Sequence, residues 1–238
     1  MKARSGRAEP LDERLERIAS LVPACALAAD IGADHGLLGT ALLRRGVCGR
    51  VLFADISEKA LSHARETVRR CGLEDRALFA VADGLEALRA VDAPCGCAVI
   101  AGMGGKTIAE ILRGGAGLLP PDAALVLSAH TEHRLVREAV QAIGWHIARE
   151  EVCLCAGRYY LVWRAEPGAQ APWTEAELLC GRLLWREMDE VKRGYLRHRL
   201  AYLTTRAEGL RRRDEEQLDA GALRETELAL AYLKEAAS

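Results

Sequence analysis

Apolar residues at Leu11, Leu15, Ile18, Ala19 and Val22 recur at helical spacing, and Pro23 ends the run, which predicts a lead-in helix over about 11–22. A small apolar run from Cys25 to Ala29 then predicts a strand over about 26–31, with Asp30 near its end. Gly32 and Gly36 mark a tight turn, and a helix follows from about Gly36 to Arg45, closed by Gly46. The pattern then repeats. Arg50 to Asp55 reads as a second strand, and Ser57 caps a helix to about Cys71, with Gly72 as its stop. Ala77 to Ala82 is a third strand, followed by a short helix from Asp83-Gly84 to about Ala90. Cys97 to Ala101 is a fourth strand leading into Gly102-Met103-Gly104-Gly105, with Lys106 to Leu112 helical after it. Ala123 to Ala129 is a fifth strand and Glu132 to Ile143 a further helix. His146 to Cys155 and Tyr159 to Ala165, separated by Gly157, predict a closing antiparallel hairpin.

Strands alternating with helices at this spacing give an α/β fold, a mostly parallel sheet covered on both faces. Ligands on such sheets lie beyond the carboxyl ends of the strands. Asp30, Asp55, Asp83 and the Gly102 loop all fall at those ends. The pattern changes after Gly168, where Pro167-Gly168 and Ala171-Pro172 mark a linker. From Trp173 onward Leu179, Leu183, Met188, Val191, Tyr195, Leu200 and Leu203 form one helical apolar stripe. Asp214 to Gly221 reads as a break, and Ala222 to Glu235 as a last helix. The expected division is a Rossmann-type unit over 1–167 and a helical, coiled-coil-like appendage over 168–238.

Composition narrows the classes. The chain has 238 residues, half of them hydrophobic, and a net charge of −1, as expected of a soluble globular protein. No apolar run approaches the ~20 residues of a membrane helix, and the segment from Met1 to Pro10 is polar, so the cytoplasm is the simplest compartment. Cysteines number eight, most of them inside apolar runs. Zinc needs CxxC-type hairpins or matching histidines; here the pairs are Cys95-Gly-Cys97 and Cys153-Leu-Cys155, so buried free thiols and no metal are expected. Arginine is dense on the appendage, with Arg193, Arg197, Arg199 and Arg206 candidates for RNA phosphates against the plainer reading of a solvated helix face.

The first turn, Asp30-Ile31-Gly32-Ala33-Asp34-His35-Gly36, carries the most chemistry. Asp34 stands where a dinucleotide fingerprint has its second glycine, and a carboxylate there is poorly placed beside a pyrophosphate. Asp55, ending the second strand, suits two ribose hydroxyls, or else caps the next helix. Asp83 suits an adenine amino group, or else caps the short helix after it. Asp30 either faces a cationic group or holds the turn through backbone N–H groups. Together these acids call for a ligand with adenosine at one end and positive charge at the other, as in S-adenosylmethionine. An NAD-dependent enzyme fits less well.

The turn Asp30 to Gly36, with Ile100-Ala101-Gly102-Met103-Gly104-Gly105 after the fourth strand and Gly157-Arg158-Tyr159-Tyr160 in the hairpin, resembles the bacterial tRNA (adenine(22)-N1)-methyltransferase family. The resemblance covers nearly the whole chain. It implies a Rossmann-like class I methyltransferase sheet with a terminal antiparallel hairpin and a C-terminal helical appendage. It implies S-adenosylmethionine as cofactor, held by Gly32, Asp34, Asp55, Asp83 and the loop Gly102-Met103-Gly104-Gly105, and a tRNA adenosine as acceptor; Asp30, His35, Gly36, Ile56, Gly84 and Ala101 are further candidate cofactor contacts. Two departures stand out. The family continues its first turn as DHAYLP where this chain has His35-Gly36-Leu37-Leu38-Gly39, and it carries a glutamine-proline-asparagine run where this chain has Ser128-Ala129-His130.

Adenine N1 has a free lone pair at neutral pH, so its methylation needs no prior deprotonation and yields a cationic base. In-line positioning and a negative field would then do most of the catalysis. Candidates are Asp34 or Asp30 for the field, and His130 or Ser128 for the base edge. The alternatives are a methyltransferase of this fold with another acceptor, and a non-catalytic RNA-binding module.

Overall fold

The computed structural model describes residues 10–212 and 219–237. The polar segment before Pro10, and most of the break expected from Asp214 to Gly221, lie outside them. Seven strands form one sheet: β1 (Cys25–Ile31), β2 (Cys48–Asp55), β3 (Ala77–Val81), β4 (Cys97–Met103), β5 (Ala124–Ala129), β6 (Trp145–Cys155) and β7 (Arg158–Pro167). Their order is β3-β2-β1-β4-β5-β7-β6. The first five are parallel, and β7 runs antiparallel to both β5 and β6. The order reverses between β1 and β4, which places a crevice at their carboxyl ends. Because β6 runs with β5, the hairpin tip at Ala156-Gly157 rises at that same edge.

The side-chain period of two sorts the core. Leu27, Ala29, Ile31, Leu125 and Leu127 pack under α4 (Gly105–Gly115) and α5 (His133–Ala142). Ala28, Val51, Phe53, Val99 and Val126 pack under α1 (Glu13–Leu21), α2 (Leu37–Arg44) and α3 (Glu58–Cys71). Asp30 shares parity with Ala28, so its side chain lies on the α2 face. Gly39 lets α2 settle on β2, since a Cβ there would meet Phe53 Cζ at 2.8 Å and Val51 Cγ1 at 2.9 Å. Asp12 and Ser57 cap α1 and α3 through the backbone N–H groups of Leu15 (2.7 Å) and Ala60 (3.3 Å).

Beyond Pro167 the chain corrects the single stripe expected from Trp173. A short helix α6 (Glu175–Cys180), held by a capping box between Thr174 and Glu177, ends at Gly181 (φ +91°). Asp189 then caps a separate helix, α7 (Glu190–Arg211), and α8 (Ala220–Ala236) packs along it. Leu183 and Met188 fall in the intervening segment, so no continuous heptad stripe exists. Cys180, Leu196, Leu203, Ala207, Ala229, Leu230 and Leu233 form a small core of their own.

Trp173, Leu184 and Tyr195 of this helical part join the core of the sheet, and a buried carboxylate ties the two further. Glu150 on β6 accepts from Arg137 Nε of α5 (2.9 Å), Trp163 Nε1 of β7 (2.9 Å) and the Leu183 backbone N–H (2.8 Å). Arg137 Nη1 donates to the Leu178 carbonyl at 2.9 Å, and both charged side chains are 1% exposed. All eight cysteines are free thiols, as expected, and Cys25 and Cys71 are partly exposed. No helix among the described residues is long and apolar enough to cross a membrane.

Candidate functional site

The turn after β1 is built from backbone conformations that side chains avoid. Gly32 (φ +73°) and Gly36 (φ +66°) are left-handed, and so is Asp34 at φ +45°. Asp tolerates that region better than most residues, which is why an acid can occupy a glycine-like position. Gly32 N and Ala33 N both donate to the Ala54 carbonyl, at 2.8 and 3.0 Å, so the turn hangs from the end of β2. A Cβ on Gly32 would strike Met103 Cε, the tip of the β4 loop. The first turn and the β4 loop therefore touch.

Of the two roles open to Asp30, the structure shows the structural one. Its side chain is buried and Oδ2 accepts from Gly39 N of α2 at 3.0 Å. Burial, with a contribution from the Asp55 charge, pushes its carboxyl up to about 7. It braces the turn rather than facing the crevice, which corrects its candidacy as a catalytic field residue.

Asp55 ties its own strand end to its neighbours. Oδ1 accepts from Ser57 N at 2.9 Å, while Oδ2 reaches back to Asp34 N at 3.4 Å, joining the two strand ends. Each oxygen keeps a further lone pair for a ligand. Asp83 stands at the N-cap of the 3₁₀ turn Gly84–Ala90 but makes no side-chain capping bond, so its exposed carboxylate is unspent. Between these acids Ile56 is 74% and Val81 54% exposed. Large apolar side chains left open beside hydrogen-bonding carboxylates suit a flat heteroaromatic ring.

The β4 loop completes the edge. Ala101 and Met103 are separated by a register shift, with Gly102 at φ +82°. The loop is latched to the one after β5: His130 N donates to Met103 O (2.9 Å), Gly105 N to Thr131 O (3.0 Å) and Lys106 N to Glu132 Oε2 (3.2 Å). Neither Gly36 at the start of α2 nor Gly104 at the start of α4 caps its helix with a side chain.

Across the crevice His130 is exposed, with its ring edge-on to Tyr160 at 5.9 Å. Ser128, the other candidate for the base edge, is not available: it is buried and its hydroxyl donates to the Leu161 carbonyl at 2.9 Å. Nearby His133 is neutral at pH 7, because burial and the Arg137 charge lower it to about 4. His35 lies against His63 with parallel rings 4.9 Å apart, and Asp34 Oδ1 is 3.8 Å from His35 Nε2. The ligand atoms of these three exposed groups fall within 4.8 Å of one another, a grouping that cysteine spacing does not reveal.

The structure thus joins Gly32, Asp34, Asp55 and Met103 by direct contact, with Gly84 and Asp83 on the adjoining strand end and Ala101, Gly102 and Gly104 across from them. The arginines Arg193, Arg197, Arg199 and Arg206 lie on α7. Arg197 and Arg206 are exposed and have no carboxylate partner among the described residues, and the Arg199 guanidinium lies over Tyr202, 5.6 Å from its ring centre. Val81 and His63 were not signalled by sequence, since each gains its place only when distant elements meet.

The family model described as a methyltransferase domain matches residues 11–163. The chain belongs to this family. The matched stretch holds every strand-end acid and both glycine loops of this methyltransferase-family protein. It is 29% identical over 158 residues to the tRNA (adenine(22)-N(1))-methyltransferase of Bacillus subtilis, an alignment covering 66% of each protein, so the chain spans about two thirds of that curated relative. Among solved structures, that of the B. subtilis M1A22 tRNA methyltransferase TrmK superposes with a TM-score of 0.83 at 24% identity, over 96% of this chain and 99% of that one. Streptococcus pneumoniae Sp1610 in complex with S-adenosyl-L-methionine superposes with a TM-score of 0.78 at 27% identity, over 93% and 100% of the two chains. M. capricolum TrmK bound to S-adenosyl-homocysteine gives 0.82 at 20% identity, over 95% and 99%.

Proposed function

We propose that this protein is an S-adenosylmethionine-dependent methyltransferase acting on N1 of an adenine in tRNA, at position 22 as in the relative's name. The observation that carries the cofactor is the left-handed Asp34 bonded through its backbone to Asp55. That pairing puts one carboxylate, Asp34, where a dinucleotide enzyme presents bare glycine backbone to phosphate. The residues fit the group: Asp55 for the ribose hydroxyls, Ile56 and Val81 for the adenine faces, Asp83 for its amino group, and the turn from Gly32 to Gly36 with Asp34 for the cationic amino-acid end. His35, Gly84, Ala101, Met103 and Gly104 line the same edge, and Gly102 leaves its outer side open.

When bound, S-adenosylmethionine supplies an electrophilic methyl group. The chain's own part is to align a base nitrogen with it and to favour the positive charge that the base gains. Asp34, exposed at the turn, is the field residue. Asp30 holds the turn in place from below. No general base is required at adenine N1, and the histidine on the acceptor side, His130, sits edge-on to an aromatic ring.

Residues 1–167 form the methyltransferase unit in this reading, and 168–238 contact tRNA through the unpaired arginines of α7. Tyr159 links the two: its ring lies 5.3 Å from Tyr195 and 5.5 Å from His198, so α7 begins beside the hairpin tip. A different acceptor on the same fold is favoured by one feature, His130 at the end of β5. Calorimetry tests the cofactor half of the proposal. S-adenosylmethionine binds, NAD does not, and Asp55→Ala abolishes binding; tight NAD binding would refute it.

A further inference from the structure

We propose that Tyr160, flanked by Arg14 and His130, is the seat on which the acceptor base stacks; this rests on the nucleic-acid reading above and adds where the base goes. Four elements meet there: α1, the β4 loop, the β5 loop and the hairpin tip. A Cβ built on Gly102 would find Arg14 Nη1 at 3.8 Å and His130 Nε2 at 4.0 Å, so both tips face the open side of that glycine. The Arg14 guanidinium lies 5.6 Å from the Tyr160 ring centre, and the His130 ring stands at 69° to it.

None of the three has its polar end committed to the fold. The Tyr160 hydroxyl, the His130 ring nitrogens and the Arg14 guanidinium have no hydrogen-bond or carboxylate partner among the described residues. Contrast Arg45 at the end of α2, paired through two bonds to Glu16, which sits on α1 as Arg14 does. An aromatic ring, an imidazole and a guanidinium converging beside the cofactor loop match one ligand chemistry. A planar base stacks on the ring, its edge meets His130, and its phosphate meets Arg14. A cationic protein side chain is disfavoured by Arg14, and a bare carboxylate leaves the ring unused. A base within a folded RNA reaches such a seat only when unstacked from its neighbours.

The test is steady-state methylation of tRNA by the full chain with Tyr160→Phe, Tyr160→Leu and Arg14→Ala, with S-adenosylmethionine affinity measured alongside. Tyr160→Phe keeps the stack and stays within about threefold of wild type. Tyr160→Leu keeps apolar bulk and lowers kcat/KM for tRNA by roughly 10- to 100-fold, the range that base–aromatic stacking supplies. Cofactor affinity is unchanged in both. Arg14→Ala raises KM for tRNA and reduces the slope of log affinity against log salt by about one. A tRNA carrying 2-aminopurine at the target base gives a quenched signal on wild type and Tyr160→Phe, and a bright one on Tyr160→Leu. Wild-type kcat/KM in Tyr160→Leu, or a loss of tRNA activity matched by an equal loss of cofactor binding, overturns the seat. A wild-type protein that binds cofactor yet transfers no methyl to tRNA overturns the reading beneath it.

Discussion

Replacing Asp30 by asparagine separates a buried acid's electrostatic cost from its hydrogen bond. The wild-type carboxyl accepts from Gly39 N at 3.0 Å, and an amide oxygen keeps that acceptor without the charge. In the unfolded chain the group titrates near 3.8, whereas burial raises it to about 7 in the fold. The native state therefore holds its proton over a range where the unfolded chain has released it. The stability contributed by the neutral form is complete below pH 3.8 and is lost as pH rises to about 7. At about 1.4 kcal/mol per unit, the loss is about 2 kcal/mol at pH 5 and about 4 kcal/mol at pH 8. Asparagine carries no such dependence. Urea unfolding of both proteins at the two pH values should show the variant gaining roughly 2–3 kcal/mol on wild type between pH 5 and pH 8. Any fixed packing cost of the amide cancels in that difference. A gap between variant and wild type that stays constant across the range would refute the buried-acid account.

Other expected outcomes concern the turn, the junction and the basic helix. Asp34→Gly relieves a left-handed residue and raises stability by up to about 1 kcal/mol, while cofactor affinity by calorimetry falls about tenfold; unchanged affinity would remove Asp34 from the cofactor site. Glu150→Ala strands the buried Arg137 together with Trp163 Nε1 and the Leu183 N–H, and costs about 3–5 kcal/mol in thermal or urea unfolding. A cost below about 1 kcal/mol would mean that this carboxylate does not help hold the helical part to the sheet. Arg197→Ala with Arg206→Ala lowers the salt slope of tRNA binding by about two without changing cofactor affinity, as filter binding at several salt concentrations would show.

Much of the fold is legible in the chain because its signals are local. Ser57 and Gly72 bound α3 where a cap and a left-handed stop were expected, and Ala156-Gly157 turns the hairpin at positive φ. The strand-end acids were readable for the same reason. What hides is the effect of tertiary context on a locally consistent pattern. The stripe after Trp173 keeps helical spacing through Leu183 and Met188, yet Gly181 and the buried Glu150 redirect the backbone there, because Leu183 N–H is drawn to that carboxylate. Asp30 looks like a ligand acid until the parity of β1 puts it under α2. Arg14 and Tyr160 lie far apart in sequence and acquire meaning only where α1 crosses the hairpin tip.

The most direct measurement is methyl transfer from labelled S-adenosylmethionine to unmodified tRNA, followed by digestion to nucleosides and mapping of the modified position. The account predicts label in 1-methyladenosine, at position 22. Label in another nucleoside would contradict the assigned acceptor, and absence of label from RNA in a protein that binds the cofactor would contradict tRNA methylation itself.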